Sequence, residues 1–274
     1  MRNREVRFEM LRPGQLREAF ARCPLVFLPV APLEYHGPHL PVGMDSINAA
    51  QCAQEACRQL GKGVVMPVLS MGTERERPGW MLESLGFHAG DWIIGMDFPT
   101  ATWKSHYYPE HVFGLVVAST IEMLISQGYR VVVIVNGHGA WNQLETLDRL
   151  AKYYTHTTDT LVVHKLAFTV DVREKNLVGH ADIFETSLMM HFEREVFSGD
   201  ALVDLSTLPA RDVPIRYPDF SVADGPGFSE HPSPDRVVRE DPRDATVEQG
   251  RKIFENTVRM FVDLAARSLQ EKGL

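Results

Sequence analysis

Apolar residues in this chain fall into short continuous runs separated by stretches of helical period. Leu25–Val30, Val64–Leu69, Arg130–Val135 and Thr160–Phe168 are the runs, rich in valine, leucine and isoleucine. Runs of this kind read as strands buried on both faces, as in a parallel sheet. Between them the apolar positions recur at helical spacing. The pattern predicts a short helix over residues 14–21 and a second from a cap at Asp45 or Ser46 to about Leu60. In that helix Ile47, Ala50, Cys52, Ala53 and Cys57 share one face, and Gly61 and Gly63 end it. Further helices are predicted over Pro109–Gln127, stopped by Gly128, from about Trp141 to Tyr154, and from about Asp182 to Val196. A closing amphipathic helix runs from Asp244 or Thr246 to about Leu269. Strands and helices that alternate in this order predict an α/β fold, a parallel sheet with helices on both faces.

Two stretches escape the pattern. Residues 70–109 lose periodicity and hold three of the four tryptophans, Trp80, Trp92 and Trp103. A long irregular excursion in an otherwise regular chain is usually functional or a contact surface, so it reads as an insertion that covers substrate or forms an oligomer. A surface loop packed on its own aromatics is the plainer alternative. Residues 197–240 are loop-rich, with many prolines.

Composition narrows the class without naming a function. The 274 residues, 44% hydrophobic and 23% charged, suit one large domain spanning 1–274. A net charge of −8 argues against a nucleic-acid partner, which needs a basic face. No apolar run reaches the ~20 residues of a membrane helix, and the basic start of the chain lacks the apolar stretch of a signal peptide. Cys23, Cys52 and Cys57 have no paired metal spacing. They read as reduced thiols and suit a cytoplasmic location.

Candidate chemistry collects at the predicted strand ends. The first strand runs into PVAPLEYHGPHLPVGMD, which carries Glu34, His36, His39 and Asp45. Carboxylates and imidazoles are the ligands of a divalent metal such as zinc where no thiolate is offered. Glu34 and His36 lie two apart and point the same way in extended chain. Any one of them is an ordinary loop residue; three leaving one buried strand together point to a metal site. The run RVVVIV delivers Asn136-Gly137-His138-Gly139 to the same sheet edge, the glycines suiting a tight turn. A third cluster, His180, Asp182 and Glu185, sits at a predicted helix start. There Asp182 suits the helix dipole alone, and Glu185 is placed to reach the same centre. His39, Asn136 and Asn142 read either as groups that orient ligands or as loop hydrogen-bonders. His88, His106 and His111 read as exposed or pocket-lining, and the tryptophans as packing residues or a cover for a flat substrate.

With these residues in place the chain resembles the creatininase (creatinine amidohydrolase) family. The segments that carry the likeness are LPVAPLEYHGPHLPVGMD, VNGHGAWNQ, GHADIFETSLMM and EDPRDATVEQGRK, in the family's order and across almost the whole chain. The resemblance implies a three-layer α/β/α sandwich with a mainly parallel sheet. It also implies two divalent metal ions per chain at the strand C-termini, zinc with manganese, iron or a second zinc. In that pattern Asp45 bridges the ions, Glu34 and His138 complete one site, His36 binds the other, and His180 protonates the leaving nitrogen. The implied enzyme is a metal-dependent amidohydrolase in which a metal-bridged hydroxide cleaves a C–N bond of a creatinine-like, formamide or peptide-like substrate. It would be a homo-oligomer, often a hexamer, acting on a small-molecule amide. A lactone hydrolase on the same centre and a non-catalytic, metal-stabilised oligomeric scaffold are the alternatives.

Three departures set the chain apart from creatininase itself. Ala140 stands where creatininase has a glutamate ligand, and Glu185 is the candidate to replace it. Gly179 replaces a glutamate beside the catalytic histidine, and DWIIGMDFPTATWKSHYYP departs from the usual Phe-Pro-Gly-Thr segment. These changes put creatinine as substrate in doubt.

Overall fold

The computed structural model describes residues 5–169, 179–198, 201–223 and 233–274. Its sheet has β1 (Leu25–Ala31) at the centre, with β4 (Val131–Asn136) and then β5 (Leu161–Leu166) on one side. On the other side lie two short pieces, β2 (Val64–Val65) and β3 (Leu69–Ser70), and every pairing is parallel. The helices are α1 (Pro13–Arg22), α2 (Met44–Leu60), α3 (Gly79–Ser84), α4 (Glu110–Ser126), α5 (Trp141–Thr157), α6 (Ile183–Glu195) and α7 (Val247–Glu271).

Alternation along the strands sorts these helices into two layers. Leu25, Phe27, Val131, Val133 and Val135 face α2 and α7, through Ala49, Cys52, Ala53, Ala56, Val258, Phe261 and Ala265. Val26, Leu28, Val30, Val132 and Ile134 face α1, α4 and α5, through Ala19, Phe113, Val117, Ile121, Leu147 and Ala151. The mainly parallel α/β architecture expected from the sequence is thus present. A further apolar cluster, including Met44, Leu82, Phe98, Met189, Phe192 and Tyr217, packs α3 and α6 beyond the sheet.

The edge strand expected over Val64–Leu69 is interrupted. Phe27 pairs with Val65 and Val30 with Leu69, so the edge strand spends one residue more than β1 between the same two rungs. The interruption falls where β1 carries Pro29 and its neighbour carries Pro67, neither of which has an N–H to give the ladder.

Helix ends agree with the sequence in kind and differ in detail. Gly61 closes α2 at φ 71°, and Thr246 caps α7 by accepting the Gln249 N–H. The cap of α2 is Gly43 rather than Asp45 or Ser46. Asp45 lies inside the first turn, which frees its carboxylate for another use. α5 continues to Thr157, past Tyr154. Residues 170–178, between the last strand and the start of α6, lie outside the described residues.

β1 is followed by α2 on one face and β4 by α5 on the other. The chain therefore parts at the C-terminal ends of two neighbouring strands. In open α/β sheets this parting opens the crevice where ligands bind.

Candidate metal centre

Glu34, His36 and Asp45 reach this crevice through the loop after β1. The Glu34 N–H donates to the Val42 carbonyl at 2.9 Å and closes the loop. Ser46 Oγ donates to Pro32 O at 3.1 Å and ties the first turn of α2 to the strand end. Gly37 adopts φ 68°, and a side chain there would crowd His39 and the Phe220 carbonyl.

His138 arrives from β4 on a turn that Asn136 holds from both sides. Asn136 Nδ2 donates to His138 O at 2.7 Å, and its Oδ1 accepts the His138 N–H at 3.2 Å and Gln143 Nε2 at 2.7 Å. Asn142 Nδ2 donates to Thr73 Oγ1 at 3.1 Å. Asn136 thus shapes the His138 turn, and Asn142 ties the start of α5 to residue 73. Of the two flanking glycines only Gly137 is required. A Cβ there would overlap the Asp45 carbonyl, whereas Gly139 faces open space. The absence of that Cβ lets β4 press against α2 and brings His138 to Asp45.

Glu185 and His180 come from the start of α6. Asp182 caps the helix, accepting the Phe184 and Glu185 N–H groups at 2.9 and 3.1 Å. Glu185 Oε2 accepts the Ala181 N–H at 2.6 Å. Ala181 sits in the left-handed region at φ 53°, and His180 exchanges backbone hydrogen bonds with Ala223 at 2.6 and 2.8 Å. Gly179 has a steric reason: a Cβ there would overlap Asp182 Oδ2 and the Ala223 carbonyl. The glutamate that creatininase carries at that position does not fit this backbone.

All six residues singled out by the sequence converge. His138 Nδ1 lies 3.0 Å from Glu34 Oε2 and 3.2 Å from Asp45 Oδ2. His36 Nε2 lies 3.4 Å from Asp45 Oδ1, 3.7 Å from Glu185 Oε2 and 3.9 Å from Glu34 Oε2. Potential ligand atoms of Glu34, Asp45 and His138 fall within 4.8 Å of one another, as do those of His36, Asp45 and Glu185. Asp45 belongs to both triads, one oxygen toward each. The side chains of Glu34, His36, Asp45, His138 and Glu185 are all buried. Ala140 is a buried alanine at the start of α5, and Glu185 brings a carboxylate to the cluster from another element.

The donor set suits divalent cations. It offers carboxylate oxygens and imidazole nitrogens, and the His36 Nδ1–H donates to the Glu34 carbonyl at 3.1 Å, which turns Nε2 toward the carboxylates. The local field is cation-seeking. Burial opposes charge on His36, yet Glu185, Asp45 and Glu34 outweigh it and hold the imidazole up to about 10. Burial also opposes charge on His138, and Glu34 and Asp45 outweigh it there too. Burial and the Asp45 charge raise Glu185 to about 7 against the pull of His36.

His180 lies apart from these triads in its bonding. Its Nε2–H donates to the Tyr35 carbonyl at 2.8 Å, its ring lies 4.3 Å from that of His36, and Nδ1 looks toward Glu34 Oε1 at 4.0 Å. Burial and the nearby His36 press its imidazole down to about 4. His180 also groups with Glu34 and His36 as a possible ligand set.

The sequence reading missed Tyr107. Its hydroxyl donates to Glu34 Oε1, and its ring lies 6.0 Å from that of His138. Nothing local marked it, because it sits in the aperiodic stretch. His39 is buried and hydrogen-bonds Thr186 Oγ1 through Nε2 at 3.0 Å. Trp80, Trp92 and Trp103 are each more than half exposed, so none of the three packs in the core. No helix among the described residues is long and apolar enough to cross a membrane.

The chain is similar to known proteins at the level of family, of individual relatives and of solved structures. A family model described as Creatininase, creatinine amidohydrolase, matches residues 9–265. The mycofactocin precursor peptide peptidase of Mycolicibacterium smegmatis is 26% identical over 259 residues, 92% of this chain and 88% of the relative. The 3-dehydro-scyllo-inosose hydrolase of Thermotoga maritima is 27% identical over 134 residues, 49% of this chain and only 36% of that hydrolase. Among solved structures, one described as manganese creatininase covers 98% of this chain and 99% of its own, with a TM-score of 0.65 at 23% identity. A variant creatininase of Zn–Zn type gives 0.64 at 22%, covering 98% of each chain. At these identities the structural likeness is one of fold.

Proposed function

This chain belongs to the creatininase family, and on that premise we propose that it is a metal-dependent hydrolase cleaving a C–N bond in a cyclic or linear amide. The observation that carries the reading is the division of Asp45, one carboxylate oxygen toward His138 and the other toward His36. Glu34, Asp45 and His138 would hold one divalent cation, and His36, Asp45 and Glu185 a second. Zinc fits both donor sets, and manganese or iron is the natural alternative for the second. Cations so placed supply an acidified water and a Lewis acid for the carbonyl oxygen.

The chain's own contribution is proton traffic. A carbonyl only accepts, so the His180 nitrogen on Tyr35 O carries the proton and Nδ1 presents a bare lone pair to the site. Nδ1 takes a proton from the attacking water and returns it to the departing nitrogen, giving a carboxylic acid and an amine. Family membership extends the proposal to a homo-oligomer, which light scattering would test.

The relative that aligns with 92% of this chain is named a peptide peptidase. The test panel therefore includes peptides beside cyclic amides, formamides and lactones. Turnover of an amide is expected, abolished by a chelator and restored by zinc or manganese. His180→Ala is expected to keep its metal and lose ~10²–10⁴-fold in kcat. A metal-loaded protein that turns over nothing on the panel would favour the scaffold reading. Turnover of lactones alone would move the assignment to ester chemistry.

A further inference from the structure

We propose that Tyr107 is a positioning residue that fixes which oxygen of Glu34 faces the metal site. The inference rests on the metal-centre reading above. Glu34 is buried, and its two oxygens are held apart. Oε2 lies 3.0 Å from His138 Nδ1, inside the Glu34–Asp45–His138 triad, while Oε1 accepts the Tyr107 hydroxyl. A carboxylate can bind a cation through one oxygen or through both. With Oε1 tied to a phenol, Glu34 would meet a cation through Oε2.

The placement of Tyr107 is built by its surroundings. Residues 105–108 run alongside the β1 loop: the His106 N–H donates to Leu33 O at 2.7 Å, and Ser105 Oγ accepts the Tyr35 N–H at 2.9 Å. On the other side the Tyr108 N–H donates to Gly72 O at 2.8 Å. Asp97 secures the segment by accepting the Ser105 hydroxyl at 2.6 Å. Room for the phenol is made by Gly95, where a Cβ would lie 2.6 Å from the Tyr107 oxygen. His106 and Tyr108 point outward and are exposed, while Tyr107 between them turns to Glu34. The aperiodic 70–109 stretch thereby ends by presenting one hydroxyl to one carboxylate oxygen. Partners of this kind around a ligand carry ~10–100-fold in metal affinity.

The test is Tyr107→Phe, read without substrate. Zinc affinity is measured by competition with a chromophoric chelator, and the Co²⁺-loaded protein by visible absorption. One of two ions is expected to bind ~10–100-fold more weakly, with a changed Co²⁺ spectrum and the other ion unaffected. Thermal melting separates positioning from mere support. The metal-stripped variant and wild type should melt together, with the zinc-induced rise smaller in the variant. Wild-type affinity and an unchanged spectrum in Tyr107→Phe would overturn the proposal, as would an equal loss of stability with and without metal. If wild type itself takes up no zinc or cobalt, the metal-centre reading fails first and this inference with it.

Discussion

The Glu34–Asp45–His138 triad is gathered by two hydrogen-bonded neighbouring strands, β1 and β4: Glu34 lies in the loop after β1, Asp45 in the first turn of the helix which that loop enters, and His138 in the turn after β4. The His36–Asp45–Glu185 triad draws its third member from α6, an element that does not belong to the sheet. The first triad is set by the ladder and by Gly137, which brings the two strand ends into contact. The second depends on where α6 lies. That helix is located by the Asp182 cap, by His39 on Thr186, and by its crossing with α7 at Gly250. Two triads sharing one aspartate therefore rest on different supports: a local one the sheet cannot easily lose, and a packed one that changes far from the crevice can disturb.

The comparison breaks most sharply with one ligand removed from each side. His138→Ala is expected to release one ion per chain and Glu185→Gln the other, each leaving its neighbour bound; elemental analysis after gel filtration reads both. Gly250→Ala comes next. A Cβ there would overlap the Ser187 backbone of α6, so overpacking should cost about 1–3 kcal/mol in chemical denaturation. It should also weaken the Glu185-containing site before the other. Equal weakening of both sites would contradict the division. Thr186→Val is the gentlest probe. It leaves His39 Nε2 buried without the Thr186 hydroxyl, a loss of about 1–3 kcal/mol in a urea melt, with His138 and its ion undisturbed.

The same contrast explains what the sequence made legible. The β1 loop and the His138 turn each follow a continuous apolar run, so strand, sheet edge and candidate ligand are read within a few residues. Glu185 was reachable because His180, Asp182 and Glu185 stand together at a helix start. Tyr107 was not, because its partner Glu34 lies 73 residues away in the chain and no periodicity surrounds it. The cap of α2 was misplaced because Asp45 is a good capping residue by type, while Gly43 takes the cap and the carboxylate turns to the crevice. The broken edge strand followed from two prolines meeting across a ladder, and that depends on register. Gly179 looked like a lost functional residue; in three dimensions it answers to Asp182 and Ala223.

The central claim is that Asp45 serves two cations at once, and metal content measures it most directly. Protein purified without chelator should carry about two divalent ions per chain, zinc or zinc with manganese or iron, whereas Asp45→Ala should carry essentially none while keeping its far-UV circular dichroism. Loss of only one ion in Asp45→Ala would contradict the shared-carboxylate geometry. A wild-type chain that binds none, even after addition of zinc or manganese, would contradict the metal centre itself.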